Sequence, residues 1–238
     1  MKIALIGYGK MGRAIEEIAL QRGHILGLKI DVDSLESFTK ENIFSCDAAI
    51  EFTGPHSAAD NIIKCLEAGI PVISGSTGWL NAWDQVINCC ETYQGSFIYA
   101  SNFSVGVNVF FELNKKLAQL MVKLPEYEVS IEETHHTAKK DAPSGTAITL
   151  AEQVMKENTH KKQWVNHLSG NEADLIITSK RIDPAPGTHS VKFHSVIDDI
   201  EIIHTAHSRQ GFALGAVLAV EFIAGKKGVY TMQDVLHF

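Results

Sequence analysis

The chain has 238 residues, 45% of them hydrophobic and 21% charged, a composition that fits one or two compact domains and excludes disordered, collagen-like and disulfide-scaffold classes. Lys and Arg number 21 against 28 Asp and Glu, a formal net charge of −7, so no nucleic-acid partner is expected. The opening apolar run is short and gives way to Lys10 and Arg13, while the late run over residues 212–220 stops at Glu221; no export signal and no membrane helix of ~20 residues is expected.

Residues 2–6 read as a buried strand, followed by Gly7-Tyr8-Gly9-Lys10-Met11-Gly12 and a helical apolar pattern at Ile15, Ile18 and Ala19. A second strand, residues 25–30, ends in Asp31. Strand, glycine loop, helix and strand with a terminal acid predict a dinucleotide-binding βαβ unit, because small residues let the backbone approach a pyrophosphate held at a helix N-terminus. Asp31 would bind the adenosine ribose and favour NAD, with Asp33 competing for that role; Lys10 and Lys29 could offset the repulsion of a 2′-phosphate, so NADH and NADPH both stay open.

Further strands are expected at 48–52, 71–74 and 96–100, alternating with helices at 58–68 and 81–91. Such alternation predicts a parallel sheet whose ligands gather beyond the strand carboxyl ends, at the turns 53–55, 75–78 and 101–104. After a helix at 107–122 the texture changes. Residues 127–133 alternate with period two, and strands are expected at 174–179, 190–196 and 200–206, interrupted by a helix at 144–157. The expected fold is therefore α/β, an N-terminal Rossmann-type parallel-sheet domain over residues 1–104 joined by a C-terminal α+β domain over 105–208 with a mixed or open sheet. A last helix at 212–224 returns to the first domain, which residues 209–238 complete. Pro184-Ala185-Pro186-Gly187 reads as a loop.

The run Glu133-Thr134-His135-His136-Thr137-Ala138-Lys139-Lys140-Asp141-Ala142-Pro143-Ser144-Gly145-Thr146-Ala147 carries the strongest chemical signal. Continued strand alternation would put Glu133 and His135 on one face and His136 on the other. Ser144 opens the next helix, whose first amides suit an anion such as a carboxylate, with Gly145 admitting it closely. Lys139 adds a full positive charge, and histidine is the side chain suited to proton exchange near neutrality. A metal site from Glu133, His135 and His136 is disfavoured, since adjacent histidines on opposite faces chelate poorly, and no metal is expected. His189, His194, His204 and His207 read as strand or turn residues, Trp79 as core, and Arg209 as either a phosphate or carboxylate binder or a plain surface residue. Cys46, Cys65, Cys89 and Cys90 lack Cys-x-x-Cys spacing, which predicts free thiols and a cytoplasmic protein.

The Glu133–Ala147 run resembles the signature of the 4-hydroxy-tetrahydrodipicolinate reductase family of bacterial lysine biosynthesis. The likeness extends through Glu51-Phe52-Thr53-Gly54-Pro55, Gly75-Ser76-Thr77-Gly78, Asn102-Phe103-Ser104-Val105-Gly106-Val107-Asn108 and the segment from Ser208 and Arg209 to Gly215 and Ala216. It implies NADH- or NADPH-dependent reduction of a small dicarboxylate, with His135 and Lys139 catalytic and His136, Ser144, Gly145 and Thr146 binding substrate. Cofactor would be held by Gly7, Tyr8, Gly9, Lys10, Met11 and Gly12, by Asp31, by Gly75, Ser76 and Thr77, and by Ala100, Ser101, Asn102 and Phe103, with Arg209 a further candidate from its place at the end of the second region. A homotetramer built through the second domain is also implied. One departure stands out: the family's first loop is usually Gly-x-x-Gly-Arg-Met-Gly, a residue longer, and here Lys10 replaces the arginine. The alternatives are another two-domain dehydrogenase of aspartate-derived substrates, which would not require the His-His-x-x-Lys run, and a non-catalytic NAD(H) sensor.

Overall fold

The computed structural model describes all 238 residues. Strands β1 (Lys2–Ile6), β2 (Ile25–Ile30), β3 (Ala48–Glu51), β4 (Val72–Ser74) and β5 (Ser96–Tyr99) alternate with helices α1 (Lys10–Gln21), α2 (Lys40–Phe44), α3 (Ala58–Glu67) and α4 (Trp83–Thr92). Helix α5 (Val105–Met121) leads into β6 (Glu128–His135), α6 (Gly145–Glu157), β7 (Gln163–Val165), β8 (Asp174–Arg181), β9 (Gly187–His194) and β10 (Asp199–Ala206). The chain ends with α7 (Gln210–Ile223), β11 (Gly228–Tyr230) and α8 (Met232–Leu236). It divides into two compact units, Met1–Val105 with Arg209–Phe238, and Gly106–Ser208.

In the first unit six parallel strands lie in the order β11-β5-β4-β3-β1-β2. The strands are apolar on both faces because both are covered. One face packs Ile62, Leu66, Trp79 and Val86; the other packs Ile15, Ala19, Ala216, Val217 and Val220. Helix α7 buries Ala213, Gly215, Ala216, Val217, Ala219, Val220 and Ile223, the wide apolar surface of a helix enclosed by its neighbours. Strand order reverses about β1, which has β2 on one side and β3 on the other, and such a reversal opens a crevice at the carboxyl ends.

The second unit is a mixed sheet in the order β10-β9-β6-β8-β7. Central β6 runs antiparallel to β9 and parallel to β8. Its alternation buries Val129, Ile131, Glu133 and His135, so the apolar stripe that meets α6 residues Leu150, Ala151 and Val154 ends in two polar side chains. No helix is long and apolar enough to cross a membrane.

Several short pieces escape sequence reading: a 3₁₀ turn at Val32–Ser37, α2, β7, β11 and α8. Three to six residues hold too few positions for a period to register. Strand β9 also begins at Gly187, inside the expected 184–187 loop, and that shift brings Gly187 and His189 to the site below.

Candidate active site

In the first unit the glycine loop joins β1 to α1, with Gly9 as the N-cap and no side chain capping the helix. Gly7 has φ +95°, and a Cβ there would stand 2.1 Å from the Phe52 carbonyl oxygen; one on Gly12 would stand 2.4 Å from the Gly7 carbonyl oxygen. Those two glycines permit the turn itself. A Cβ on Gly9 would meet nothing within 4 Å, so its backbone faces open space above an uncapped helix start, an arrangement that could hold a pyrophosphate. Lys10 is exposed, Tyr8 and Met11 half-buried. Asp31 caps the 3₁₀ turn after β2 with a carboxylate that accepts from the Val32 amide at 2.9 Å, leaving the side chain at the surface.

Gly75 follows β4, and a Cβ there would stand 2.2 Å from the Phe52 ring. Glu51, unremarked as a functional group in the sequence, is fully buried at the end of β3. Its carboxylate accepts from Ser74 Oγ (2.5 Å), Ser76 Oγ (2.9 Å) and the Thr53 amide (2.8 Å), which clamps the loops after β3 and β4 together. Ser76 is thus occupied inward, whereas Thr77 is exposed. After β5, Ala100 is half-buried and Ser101 exposed; Asn102 Oδ1 accepts from the Ser104 amide at 2.8 Å. Phe103 is 2% exposed, its ring 5.8 Å from that of Phe52, so only its backbone can meet a ligand. Gly215 lets α7 approach this loop, since a Cβ there would collide with the Phe103 carbonyl oxygen at 1.7 Å. Trp79 is core, its Nε1 donating to the Ser76 carbonyl at 2.8 Å. Arg209 is exposed at the start of α7.

In the second unit Glu133, fully buried on β6, is the hub. It takes Arg181 Nη2 at 3.1 Å and the Ser144 amide at 3.0 Å, with His135 Nδ1 3.3 Å and His189 Nε2 3.8 Å from the carboxylate. Register explains the assembly: Glu133 faces His189 across β9, and His135 faces Arg181 across β8. Burial would raise the Glu133 carboxyl, but hydrogen bonds centred on His135, Ser144 and Ser179 overcome it and hold the group far below the usual carboxylate range. His189 is pushed down to about 4, first by burial and then by the neighbouring His135; it stands neutral near pH 7, its Nε2 3.0 Å from Ser144 Oγ. The His135 and His189 rings meet edge-on at 5.0 Å. A Cβ on Gly187 would come 3.1 Å from His135 Nε2, so glycine there makes room for the ring.

Ser144 is the N-cap of α6, its Oγ accepting from the Ala147 amide at 3.3 Å. That hydroxyl is turned inward, and the open part of the helix start is Gly145, exposed with nothing within 4 Å of a Cβ, beside half-buried Thr146. Lys139 and His136 lie on the β6–α6 connection; Lys139 Nζ pairs with both Asp141 oxygens at 2.7 and 2.8 Å. Glu133, His135 and His189, rather than His136, are the groups close enough to share a cation. Arg181 pairs with Glu133 Oε1, and the Ser144 amide donates to Oε2, the oxygen that the two histidines face. His189 and Arg181 were invisible in the sequence as site residues: both lie more than 40 positions from His135, and only strand register brings them in.

The family description "Dihydrodipicolinate reductase, N-terminus" matches residues 1–103, and "Dihydrodipicolinate reductase, C-terminus" matches residues 106–236. The chain belongs to the dihydrodipicolinate reductase family. A 4-hydroxy-tetrahydrodipicolinate reductase of Christiangramia forsetii is 51% identical over 236 residues, spanning 99% of this chain and 98% of the relative. One from Methanosarcina barkeri is 37% identical, spanning 98% of this chain and 88% of the relative. The solved dipicolinate-bound dihydrodipicolinate reductase of Paenisporosarcina sp. TG-14 superposes with a TM-score of 0.77 at 21% identity, covering 98% of each chain. An amine dehydrogenase of Mycobacterium smegmatis, at TM-score 0.61 and 9% identity over 98% of this chain and 95% of its own, shares the fold. The family resemblance carried by the Glu133–Ala147 run is thereby borne out, and the reductase's Rossmann-like parallel sheet with a second mixed-sheet domain accords with it.

Proposed function

We propose that this reductase converts 4-hydroxy-tetrahydrodipicolinate to tetrahydrodipicolinate at the expense of NADH or NADPH, in lysine biosynthesis. The observation that carries the reading is the buried Glu133–His135 pair, set against the N-cap of α6 and followed by Lys139, in a chain matched by family descriptions over both of its units.

The first unit binds the cofactor: the open backbone at Gly9 and the uncapped start of α1 take the pyrophosphate, Asp31 the ribose, and the loops 75–77 and 100–103 the remainder. Bound nicotinamide supplies a hydride. In the second unit the start of α6, at Gly145 and Thr146, and His136 hold a substrate carboxylate. Addition of hydride and one proton across a double bond, after the 4-hydroxyl departs as water, balances the reaction. His135 handles the proton. Glu133, 3.3 Å from the His135 Nδ1, holds the ring in orientation. Lys139 meets the substrate's negative charge, exchanging its Asp141 partner for it.

The dianionic substrate and the acidic chain repel one another overall, so affinity rests on these local positive groups. A homotetramer built through the second unit is supported by apolar side chains at its sheet edge. Ile200 and Ile203 on edge strand β10 are 38% and 59% exposed, and Val196 and Ile197 in the preceding turn are also bare. Four free cysteines support placement in the reducing cytoplasm.

The test is oxidation of NADH and NADPH, followed at the nicotinamide absorbance, with substrate generated in situ from pyruvate and aspartate semialdehyde by a synthase. Synthase-dependent oxidation is expected; folded protein that binds nucleotide yet oxidises neither would overturn the reading.

A further inference from the structure

The end of β2 and the adjoining face of α1 carry a charge cluster that cofactor binding alone does not require. Lys29 Nζ lies 2.6 Å from Glu16 Oε1, and Tyr8, from the glycine loop, donates its hydroxyl to the other Glu16 oxygen. The Tyr8 ring is flanked by cations on α1 and β2, with Arg13 Cζ 5.2 Å and Lys29 Nζ 4.9 Å from its centre, close enough for cation–π attraction. Lys29 and Asp31 are two residues apart along the strand direction, hence on the same side. Hydrogen bonds from Lys29 and then Tyr8 hold the Glu16 carboxyl below its ordinary range, and the Glu16 bond raises Lys29.

The consequence concerns the 2′ position of the adenosine ribose, where the two cofactors differ by a phosphate of nearly two negative charges. Asp31 presents a carboxylate to that ribose. Val32, the next residue, is apolar and 77% exposed, and Asp33 adds a second exposed carboxylate. Lys29, the cation beside Asp31 on β2, is already neutralised by Glu16. Lys10, exposed and without an ion pair, sits at the helix start that takes the pyrophosphate common to both cofactors.

We propose that the Glu16–Lys29 pair, latched by Tyr8, makes the enzyme prefer NADH, and that Glu16 is the specificity-determining residue because it withholds Lys29 from a 2′-phosphate. Within the proposed function, the inference rests on the first unit's binding of NADH or NADPH. Glu16→Gln keeps an acceptor for the Tyr8 hydroxyl while releasing the Lys29 charge.

The experiment measures kcat/KM in the synthase-coupled assay and, independently, Kd from nucleotide fluorescence, for NADH and NADPH. The wild-type chain is expected to favour NADH at least ten-fold. Glu16→Gln should raise NADPH efficiency about ten-fold, mainly through KM, with NADH altered less than three-fold, and adding Lys29→Met should abolish the gain. Lys10→Ala should weaken both cofactors alike. A wild-type preference for NADPH or none, an unchanged ratio in Glu16→Gln, a gain that survives Lys29→Met, or a loss confined to NADPH in Lys10→Ala would each overturn the proposal. Where Glu16→Gln fails to fold, Lys29→Met alone decides: a lysine already held by Glu16 makes no contact with the 2′-phosphate, so NADPH efficiency should change less than three-fold, and a loss confined to NADPH would overturn the proposal. NADH-selective binding with no turnover would instead sink the reductase reading and leave this one standing.

Discussion

Replacing Glu133 by Gln tests the centre of the proposed mechanism, because it removes one charge while nearly preserving shape. The carboxylate is fully buried and binds Arg181 at 3.1 Å and the Ser144 amide at 3.0 Å. Arg181 keeps bonds to the carbonyls of Asp141 and Lys180 at 2.6 and 2.8 Å and is partly exposed, 21% at the side chain, so the loss lies below that of a wholly buried pair. About 2–3 kcal/mol is expected, the range for a hydrogen bond to a charged group that is left unmade. For a chain of this size that lowers Tm by roughly 4–12 °C in a calorimetric scan.

The stability deficit should also depend on pH in a defined direction. A carboxyl held lower in the folded state than in the unfolded chain contributes its full stability above the unfolded value of about 4.3, and loses it as pH falls toward the folded value. The gap between wild type and Glu133→Gln should therefore be constant near neutrality and shrink below about pH 4. In the coupled assay kcat should fall on the order of 10²-fold, the scale of a positioned proton-transfer group, while KM for substrate moves little. Unchanged kcat with the expected loss of Tm would show that Glu133 merely holds the fold together, and would refute its role behind His135.

His189 works in a separate window. Its folded value near 4 against 6.5 in the reference state means the unfolded chain binds the extra proton between those pH values, so stability should fall by roughly 3 kcal/mol as pH drops through that range; urea unfolding at pH 7 and 4.5 should show the slope, and His189→Asn should flatten it. Lys139→Ala should cost under about 1 kcal/mol, because its Asp141 pair is solvent-screened, yet lower kcat/KM on the order of 10²-fold or more; normal turnover would remove Lys139 from the site. Gly9→Ala should fold with unchanged Tm and lose nucleotide affinity, whereas Gly7→Ala should destabilise the fold itself, since its Cβ would collide with the Phe52 carbonyl. Equal Tm losses in the two variants would contradict the cradle assigned to Gly9.

Local patterns carried the sequence reading a long way. The glycine loop, the period-two alternation ending at Glu133 and His135, and a Ser-Gly-Thr helix start are each defined within a few residues, because strand pleat, helix capping and tight turns are short-range properties of the chain. Those patterns determined that a parallel α/β unit precedes a sheet-rich one and that His135 and Lys139 shortly precede a helix start capped by Ser144. The tertiary structure decided what surrounds them. Pairing of β6 with β8 and β9 brought Arg181 and His189 to Glu133 and made that carboxylate a buried anion. Packing of β3 beside β4 turned Glu51 into the clamp of two loops, and the approach of α1 to β2 tied Lys29 to Glu16. Side-chain chemistry is written residue by residue, but which charges meet out of water depends on strand register and layer packing, and no spacing along the chain encodes those.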